Sequence, residues 1–204
     1  MTTGAPVNSA LEALVLAAGK GSRFGGGKLT APWLGGVLID GALAAAFAAP
    51  VRTVTVVWGA DEAVSEAAQA FAERTGQAGQ LRIVHAERFA EGLSESLKAG
   101  VASLPPDTEG LYVFLGDMPQ VPPSIPPLLE EALRNGAQAA APIFNGVRGH
   151  PALIGAGLLS RLSGLTGDRG AGALLDGFGS ALALVETADD GVVWDVDLPN
   201  DLRR

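Results

Sequence analysis

Short apolar runs alternate with helix-like stretches along most of the 204-residue chain. This alternation constrains the fold more than any other feature, because strands separated by helical crossovers pair in parallel and are covered by helices. We therefore predict an α/β fold, a single three-layer α/β/α domain over residues 11–204 with a mainly parallel, mixed sheet. Residues 1–10 are predicted to form a flexible N-terminal tail. The functional loops of such a sheet follow the carboxyl ends of its strands.

The individual elements are predicted from apolar runs, β-branched residues and the positions of proline and glycine. Strands are expected over residues 14–17, 51–58, 81–84, 111–115, 138–144, 151–154, 181–186 and 192–196. Helices are expected over residues 37–49, 61–74, 94–103, 124–134 and near 157–163 and 171–177.

Composition and charge exclude several function classes. The chain contains no cysteine, which removes disulfide scaffolds, thiolate metal sites and cysteine nucleophiles, and which fits a cytoplasmic protein. Its net charge of -8 argues against binding to nucleic acid or to an anionic membrane. No apolar run is long enough to span a membrane, and no basic region precedes the first apolar stretch, so neither a membrane anchor nor a signal peptide is expected. A small anion remains a candidate ligand, because a few local cations can bind it.

A glycine-rich loop follows the first predicted strand and reads LAAGKGSRFGGGKL over residues 16–29. Glycines allow backbone amides to approach phosphate oxygens, and Lys20, Arg23 and Lys28 place three cations within nine positions. The loop is not a P-loop, since Lys28 is followed by Leu29, and its spacing does not match the dinucleotide fingerprint. A flexible loop with solvated basic residues is the alternative interpretation.

Two groups of aspartates are candidate metal ligands. Asp117 follows the predicted strand 111–115, where a carboxylate projects beyond the sheet edge and suits Mg²⁺. Asp195 and Asp197 alternate on the predicted strand 192–196 and its end, so they are expected to share one face. Crowded carboxylates repel each other unless a cation lies near them. The alternatives are an aspartate that caps a turn and a solvated acidic edge strand.

These motifs resemble nucleotidyltransferases with the mononucleotide-binding α/β fold, a Rossmann variant shared with the nucleotide-diphospho-sugar transferases. The resemblance is closest to the branch that makes molybdenum cofactor nucleotides, the cytidylyltransferases and guanylyltransferases. It extends in order from residue 13 to residue 202, through the glycine loop, GDMP (116–119), GVRGHP (146–151) and LTGDRGAG (165–172). The chain departs from the family pattern at Leu198 and Asn200, and Gly172 replaces an arginine.

The resemblance implies roles for residues of this chain. Arg23, Lys28 and Asp117 are expected to be catalytic, with the two cations neutralising the triphosphate and the leaving pyrophosphate. The residues expected to bind the nucleotide are Leu16, Ala17, Ala18, Gly19, Gly21, Ser22, Arg23, Lys28, Ser94, Ser96 and Gly116. The expected metal ligands, for Mg²⁺ with Mn²⁺ as an alternative, are Asp117, Asp197 and Asp195. The expected acceptor-binding residues are Arg148, His150 and Asp168.

The function implied by the resemblance is transfer of CMP from CTP to the terminal phosphate of a molybdopterin-type cofactor, with release of pyrophosphate. The small Ala18 favours a pyrimidine, and a recipient molybdoenzyme is a further expected partner. One alternative is an enzyme of the same fold that uses GTP, or a sugar or polyol phosphate as acceptor. The other is a non-catalytic carrier or chaperone of the molybdenum cofactor.

Overall fold

A twisted, mainly parallel sheet organises the protein, of which the computed structural model describes residues 10–167, 172 and 175–203. The strands are β1 Leu11–Ala17, β2 Pro32–Trp33, β3 Gly36–Val37, β4 Val54–Trp58, β5 Leu81–His85, β6 Gly110–Leu115, β7 Ala139–Phe144, β8 Val147–Arg148, β9 Ala152–Gly155 and β10 Leu182–Glu186. The α-helices among these residues are α1 Ile39–Ala48, α2 Ala63–Arg74, α3 Leu93–Ala102, α4 Ile125–Arg134 and α5 Ala156–Leu162. None of the described helices is long and apolar enough to cross a membrane.

The strand order is β10-β7-β9-β6-β1-β4-β5, with β8 paired to β7 and with β2 and β3 forming a separate hairpin. Strand β1 lies near the centre and pairs in parallel with β4 and β6, so that Val15 is opposite Val56 on one side and Phe114 on the other. Strand β9 is antiparallel to both of its neighbours, β6 and β7, which makes the sheet mixed. The carboxyl ends of β1, β4, β5 and β6 therefore lie along the same edge.

Side-chain alternation along β1 divides the core into two layers. Ala13 and Val15 belong to a cluster that also contains buried side chains of α1, α2 and α4. Leu14 and Leu16 belong to the opposite cluster, with buried side chains of α3 and α5. Since successive strand residues point to opposite faces, one apolar strand supports helices on both sides of the sheet. The predicted three-layer α/β/α architecture is confirmed.

Strand β1 begins at Leu11 rather than at the predicted residue 14, and the carboxylate of Glu12 is buried near its start. The side chain of Glu12 is 1% exposed, and its Oε1 accepts a hydrogen bond of 2.8 Å from Nε of Arg52. Arg52 in turn donates to both carboxylate oxygens of Asp107, at 2.7 and 3.1 Å. Burial of a charge is tolerated when it is paired, so the strand extends through a residue that reads as polar.

Two parts of the fold differ from the sequence prediction. The β2–β3 hairpin lies in the stretch predicted as loop and ends at Val37, the first residue of the predicted helix, so helix α1 starts at Ile39 rather than at residue 37. The predicted strand 192–196 is wrong: a short 3₁₀ turn covers Asp190–Val192, and no strand follows it. Residues 1–9 of the predicted tail, and residues 171, 173 and 174 of the helix predicted near 171–177, lie outside the described residues.

Candidate active site

The carboxyl edge of the sheet carries a cleft of about 210 Å³, which we name the central cleft. It lies between the loops that follow β1, β4 and β6 and the start of α3. The predicted residues that line it are Leu16, Ala17, Ala18, Gly19, Gly21, Lys28 and Asp117. Ligands of open α/β sheets bind at this edge, so the position agrees with the sequence prediction.

The glycine loop folds back on itself and brings its two ends together. The amides of Phe24 and Gly26 both donate to the carbonyl of Gly21, at 3.0 and 3.2 Å. Gly21 has φ +56, and a Cβ placed there would lie 3.1 Å from the Cβ of Lys28. A glycine at this position therefore allows the close approach that sets Lys28 beside the first turn of the loop.

Three further clefts surround the central cleft. The polar cleft is lined by Gly21, Ser22, Arg23, Phe24, Lys28 and Asp197. The α3 cleft is lined by Ala18, Gly19, Lys20, Phe89, Ala90, Gly92, Leu93 and Ser96. The hairpin cleft is lined by Leu115, Asp117, Met118, Val147, Arg148, Gly149, His150, Val192, Val193 and Asp195. Lys28 is shared by the central and polar clefts, Ala18 by the central and α3 clefts, and Asp117 by the central and hairpin clefts.

The predicted catalytic cations are paired with predicted metal ligands. Nζ of Lys28 lies 2.7 Å from Oδ2 of Asp117 and 3.9 Å from Oδ1 of Asp197. Arg23 contacts the other oxygen of Asp197 at 3.0 Å. The Lys28 side chain is 12% exposed, whereas that of Arg23 is 78% exposed. Residues far apart in the sequence thus form one charged cluster at the edge of the sheet.

Asp117 is fixed by the strand that precedes it and by the C-terminal segment. The amide of Gly116 donates to the carbonyl of Leu16 at 2.9 Å, which continues the contact between β6 and β1 by one residue. The carbonyl of Asp117 accepts from the amide of Val196 at 3.0 Å. Gly116 is buried in this contact, so it supports the position of Asp117 and its amide is already occupied.

Asp195 and Asp197 do not share a face, because the segment that carries them is not a strand. Asp195 lines the hairpin cleft, and Asp197 lines the polar cleft. The pKa of Asp195 is raised above its ordinary value, mainly by burial and further by the charges of Asp117 and Asp197. The charges of Asp117 and Asp197 therefore act on the carboxyl group of Asp195.

The backbone at Asp197 is held by Asp201. Oδ2 of Asp201 accepts hydrogen bonds from the amides of Asp197 and Leu198, at 3.0 and 2.7 Å. Sequence analysis assigned Asp201 no role at the site. The signal that could have found it is the sequence DLPND over residues 197–201, in which an acid follows Leu198 by three residues and can accept from nearby backbone amides.

The donor set fits a hard divalent cation. Two carboxylates, from Asp117 and Asp197, already surround a positive charge, the ammonium of Lys28. Among the described residues no group of three or more histidine, aspartate and glutamate side chains is arranged as a complete metal site. Mg²⁺ commonly takes one or two carboxylates and completes its shell with water and substrate phosphates, so a two-carboxylate site suits it.

The serines predicted to bind nucleotide differ from each other in position. Ser96 lines the α3 cleft, as its predicted role requires. Ser94 is fully buried within α3, and its Oγ has no hydrogen-bond partner among the described residues. Ser94 does not cap the helix, because the N-cap is Gly92, which has φ +121. Ser94 lines none of the four clefts named above.

Two of the three predicted acceptor residues, Arg148 and His150, line the hairpin cleft, but their polar groups are engaged or buried. Arg148 donates to the carbonyl of Gly172 at 2.9 Å and forms an ion pair of 2.8 Å with Asp176. His150 is half-buried, and its Nδ1 is buried without a hydrogen-bond partner among the described residues. Burial lowers the pKa of His150, although a hydrogen bond to the Val113 backbone and the charge of Asp117 oppose this. Asp168 lies outside the described residues.

Several residues of the clefts were not predicted. Asp61, Val64 and Leu93 line the central cleft, and Asp61 also accepts a hydrogen bond from the amide of Ala63 at 3.1 Å. Asp61 follows β4 as Asp117 follows β6, so the rule that identified Asp117 could have identified it. No comparable signal marks Val64 or Leu93, which read as ordinary apolar helix residues.

Comparison with known proteins adds independent evidence. A family model described as the MobA-like NTP transferase domain matches residues 13–192. The chain is 28% identical over 198 residues to the molybdenum cofactor cytidylyltransferase of Escherichia coli strain K12, a match that covers 95% of this chain and 94% of that protein.

Solved structures show the same fold. A mycobacterial homolog of Rv0371c, from strain JC1, shares 26% identity with a TM-score of 0.77, covering 97% of this chain and 96% of that one. Rv0371c of Mycobacterium tuberculosis, crystallised in complex with manganese, shares 22% identity with a TM-score of 0.72, covering 95% and 96%. The similarity spans nearly the whole chain, so the predicted fold variant is confirmed.

Proposed function

Because the chain belongs to the family of MobA-like NTP transferase domains, we propose that it transfers CMP from CTP to the terminal phosphate of a molybdopterin-type cofactor. The proposal rests above all on the place of Asp117, which lies where the central cleft meets the hairpin cleft. A carboxylate at that junction lies beside both a nucleotide in the central cleft and an acceptor in the hairpin cleft. The curated relative with molybdenum cofactor cytidylyltransferase activity supports the same substrates.

In the proposed reaction, an oxygen of the acceptor phosphate attacks the α-phosphorus of the nucleotide in line. One phosphorus–oxygen bond forms, the bond to the β-phosphate breaks, and pyrophosphate leaves with the electron pair. The phosphate nucleophile is already ionised at neutral pH, so no general base is needed. Catalysis then consists of positioning and of neutralising charge, which suits a site built from a glycine loop and charged side chains.

The roles of the residues follow from the clefts they line. The amides of the glycine loop and the ammonium of Lys28 bind the triphosphate in the central cleft, and Arg23 in the polar cleft binds the departing pyrophosphate. Asp117 and Asp197, with Asp195 beside them, would hold a divalent cation, Mg²⁺ or Mn²⁺. Such a cation, when bound, would neutralise phosphate charge in the transition state.

The choice of nucleotide is proposed from the base end of the site. Ala18 is 5% exposed and lies between the central and α3 clefts, where the base and ribose would lie next to Ser96. Its methyl group narrows the base pocket slightly, which favours the smaller pyrimidine of CTP over the purine of GTP. The acceptor end is lined by Met118, Val147 and Val193, an apolar surface that suits a flat heterocycle better than a sugar.

We further propose that Arg148 takes part in acceptor binding only after its ion pair with Asp176 opens. His150 is proposed to shape the hairpin cleft as a neutral, half-buried side chain, since the lowered pKa disfavours its charged form. The product is proposed to pass to a molybdoenzyme in the cytoplasm, because a labile cofactor is best handed over directly.

The test is pyrophosphate release in the presence of Mg²⁺, measured with CTP, GTP, ATP and UTP, with and without molybdenum cofactor. Release only with CTP and cofactor is the expected result. A preference for GTP would overturn the argument from Ala18, and release with a sugar or polyol phosphate would overturn the acceptor. Tight cofactor binding without release from any nucleotide would indicate a carrier.

Asp117→Asn is the variant that tests the carrying observation. We expect turnover to fall by at least about 100-fold, because a neutral amide replaces a charged ligand at the junction of donor and acceptor. Asp107→Asn is the matched control, since Asp107 is exposed and pairs with Arg52 at the start of the sheet, remote from the clefts. Equal turnover in the Asp117→Asn and Asp107→Asn proteins would refute the assignment.

A further inference from the structure

Lys28 lies between two carboxylates and is enclosed by them. Its Nζ is 2.7 Å from an oxygen of Asp117 and 3.9 Å from an oxygen of Asp197, and only 12% of its side chain is exposed. The second oxygen of Asp197 is held by Arg23 at 3.0 Å. A surface lysine usually remains solvated, because an exposed ion pair contributes little. This lysine is instead enclosed in the charged cluster.

The same two carboxylates are the donors proposed for the divalent cation. Mg²⁺ binds carboxylate oxygens at about 2.0–2.1 Å, so it needs the space beside these oxygens that the ammonium fills. An ammonium and a divalent cation at such separations repel each other strongly at the effective dielectric of a protein surface. The ammonium and the divalent cation therefore compete for one place.

We propose, on the basis of the proposed function, that Lys28 is a resident cation that competes with the divalent metal for the site until a nucleotide binds. In the nucleotide-free protein its ammonium neutralises Asp117 and Asp197. A nucleotide supplies new anionic partners for the ammonium, which leaves the carboxylates and opens them to the metal. Metal and nucleotide thus strengthen each other's binding, and without a nucleotide the protein binds the metal only weakly, at concentrations high enough to displace the ammonium.

The placement of Lys28 supports this exchange. It lines both the central and polar clefts, so phosphates bound in either one meet its side chain. The loop holds the backbone and Cβ of Lys28 close to Gly21. Only the outer part of the lysine side chain then has to move for the ammonium to change partners. The nucleotide and the metal are then coupled through one side chain, and each must strengthen the binding of the other.

The decisive measurement is Mn²⁺ binding without any nucleotide, followed by the electron paramagnetic resonance signal of free Mn²⁺. We expect Lys28→Met to bind Mn²⁺ at least about tenfold more tightly than the wild type, because a neutral side chain no longer competes. Lys28→Arg keeps the charge and should retain weak binding. Lys20→Met is the matched control: it removes the same charge from the same loop, and among the described residues Lys20 forms no ion pair.

The proposal is overturned if Lys28→Met binds Mn²⁺ within about twofold of Lys20→Met, or if Lys28→Arg binds as tightly as Lys28→Met. The first result would mean that the lysine does not compete, and the second that charge is not the cause. Thermal unfolding of each variant shows whether the fold is retained.

A second measurement uses the unmutated protein and so does not depend on a variant that folds. Acetylation of individual lysines is quantified by mass spectrometry, with and without millimolar Mn²⁺ and without nucleotide. We expect labelling of Lys28 to rise severalfold with Mn²⁺, because the displaced ammonium becomes accessible, while labelling of Lys20 stays constant. Unchanged labelling of Lys28 under saturating Mn²⁺ would overturn the proposal.

These experiments contain neither nucleotide nor acceptor, so they are independent of the proposed reaction. A shift in Mn²⁺ affinity together with failure of the pyrophosphate assay would retain the role of Lys28 and refute the transferase. Pyrophosphate release together with unchanged Mn²⁺ affinity would refute only the role of Lys28.

Discussion

Gly149 lies between β8 and β9 and contacts the segment that carries Asp195 and Asp197. Its replacement by alanine tests that contact. A Cβ added at Gly149 would lie 2.2 Å from the carbonyl oxygen of Val192 and 2.8 Å from its carbonyl carbon. Both partners are backbone, so no flexible side chain can move away. The amide of His150 donates to the carbonyl of Val192 at 2.8 Å and joins the two segments, while the amide of Gly149 donates to the carbonyl of Pro142 in β7, also at 2.8 Å, so Gly149 cannot move away freely.

The size of the effect follows from three contributions. Overpacking against fixed backbone costs about 2 kcal/mol, and loss of one of the two hydrogen bonds costs about 1 kcal/mol. Replacing glycine stabilises by about 0.7 kcal/mol, because the unfolded chain loses freedom. The net loss of about 2 kcal/mol lowers the Tm of a chain of this length by about 4–8 °C. Turnover should fall as well, since Asp195 follows Val192 by three residues.

The assay is thermal unfolding of the wild type, Gly149→Ala and Gly157→Ala, combined with pyrophosphate release. Gly157 is the matched control, because it lies exposed in α5 and a Cβ there meets nothing within 4 Å. Gly157→Ala should keep the Tm or raise it, because alanine in place of glycine within a helix adds up to about 1 kcal/mol to the free energy of unfolding. A Tm of Gly149→Ala equal to that of the wild type would refute the close contact, and an equal drop in both variants would show a general effect of alanine.

Two further perturbations probe the same edge of the sheet. Asp201→Ala should lower the free energy of unfolding by about 1 kcal/mol and reduce pyrophosphate release, because the amides of Asp197 and Leu198 lose their acceptor, while Asp201→Asn should restore both. Because the surroundings of His150 disfavour its charged form, protonation costs stability below the unfolded-state pKa of 6.5, and stability falls as the pH drops toward the lower folded-state pKa. Urea unfolding between about pH 7 and pH 5 should therefore show a shallower decline for His150→Gln than for the wild type, whereas His85→Gln, at an exposed position, should follow the wild type.

The parts of the site that the sequence predicted are those fixed by local rules. Asp117 follows a buried strand, and the glycine loop follows another, so each is placed at a carboxyl end by its own flanking residues. Strands β1 and β6 are neighbours in the sheet. Lys28 and Asp117, 89 positions apart, consequently meet at 2.7 Å.

The C-terminal segment could not be predicted, because its partners are not strands. Its alternating apolar residues favour an extended chain, as a strand prediction requires. The segment is held by single hydrogen bonds to separate loops, from Val196 to Asp117 and from His150 to Val192. The alternation of apolar residues indicates that one face of this segment is buried, but it does not indicate which surface of the protein covers that face. Asp195 and Asp197 therefore point into different clefts.

Local preference also failed where a distant backbone group decided the outcome. Ser94 has the residue type of an N-cap, but the helix begins after Gly92. The amide of Ser94 donates to the carbonyl of Gly167 at 3.1 Å, and a Cβ at Gly92 would lie 2.5 Å from that same carbonyl. The approach of a loop more than seventy residues away thus requires glycine at the cap, which no local pattern contains.

A protein with a net charge of -8 that binds a triphosphate must solve an electrostatic problem, and the ion pairs show how. Arg23 and Lys28 are each already paired with a carboxylate, so the cluster offers little net positive charge to a polyanion. A nucleotide without a divalent cation would release Asp117 and Asp197 as uncompensated charges beside its own phosphates, which is unfavourable. In the proposed exchange, a nucleotide that brings a cation would satisfy both sides at once, because the lysine would move to phosphate and the metal would take its place. Selectivity for the metal-bound nucleotide is therefore the expected consequence of the resting ion pairs.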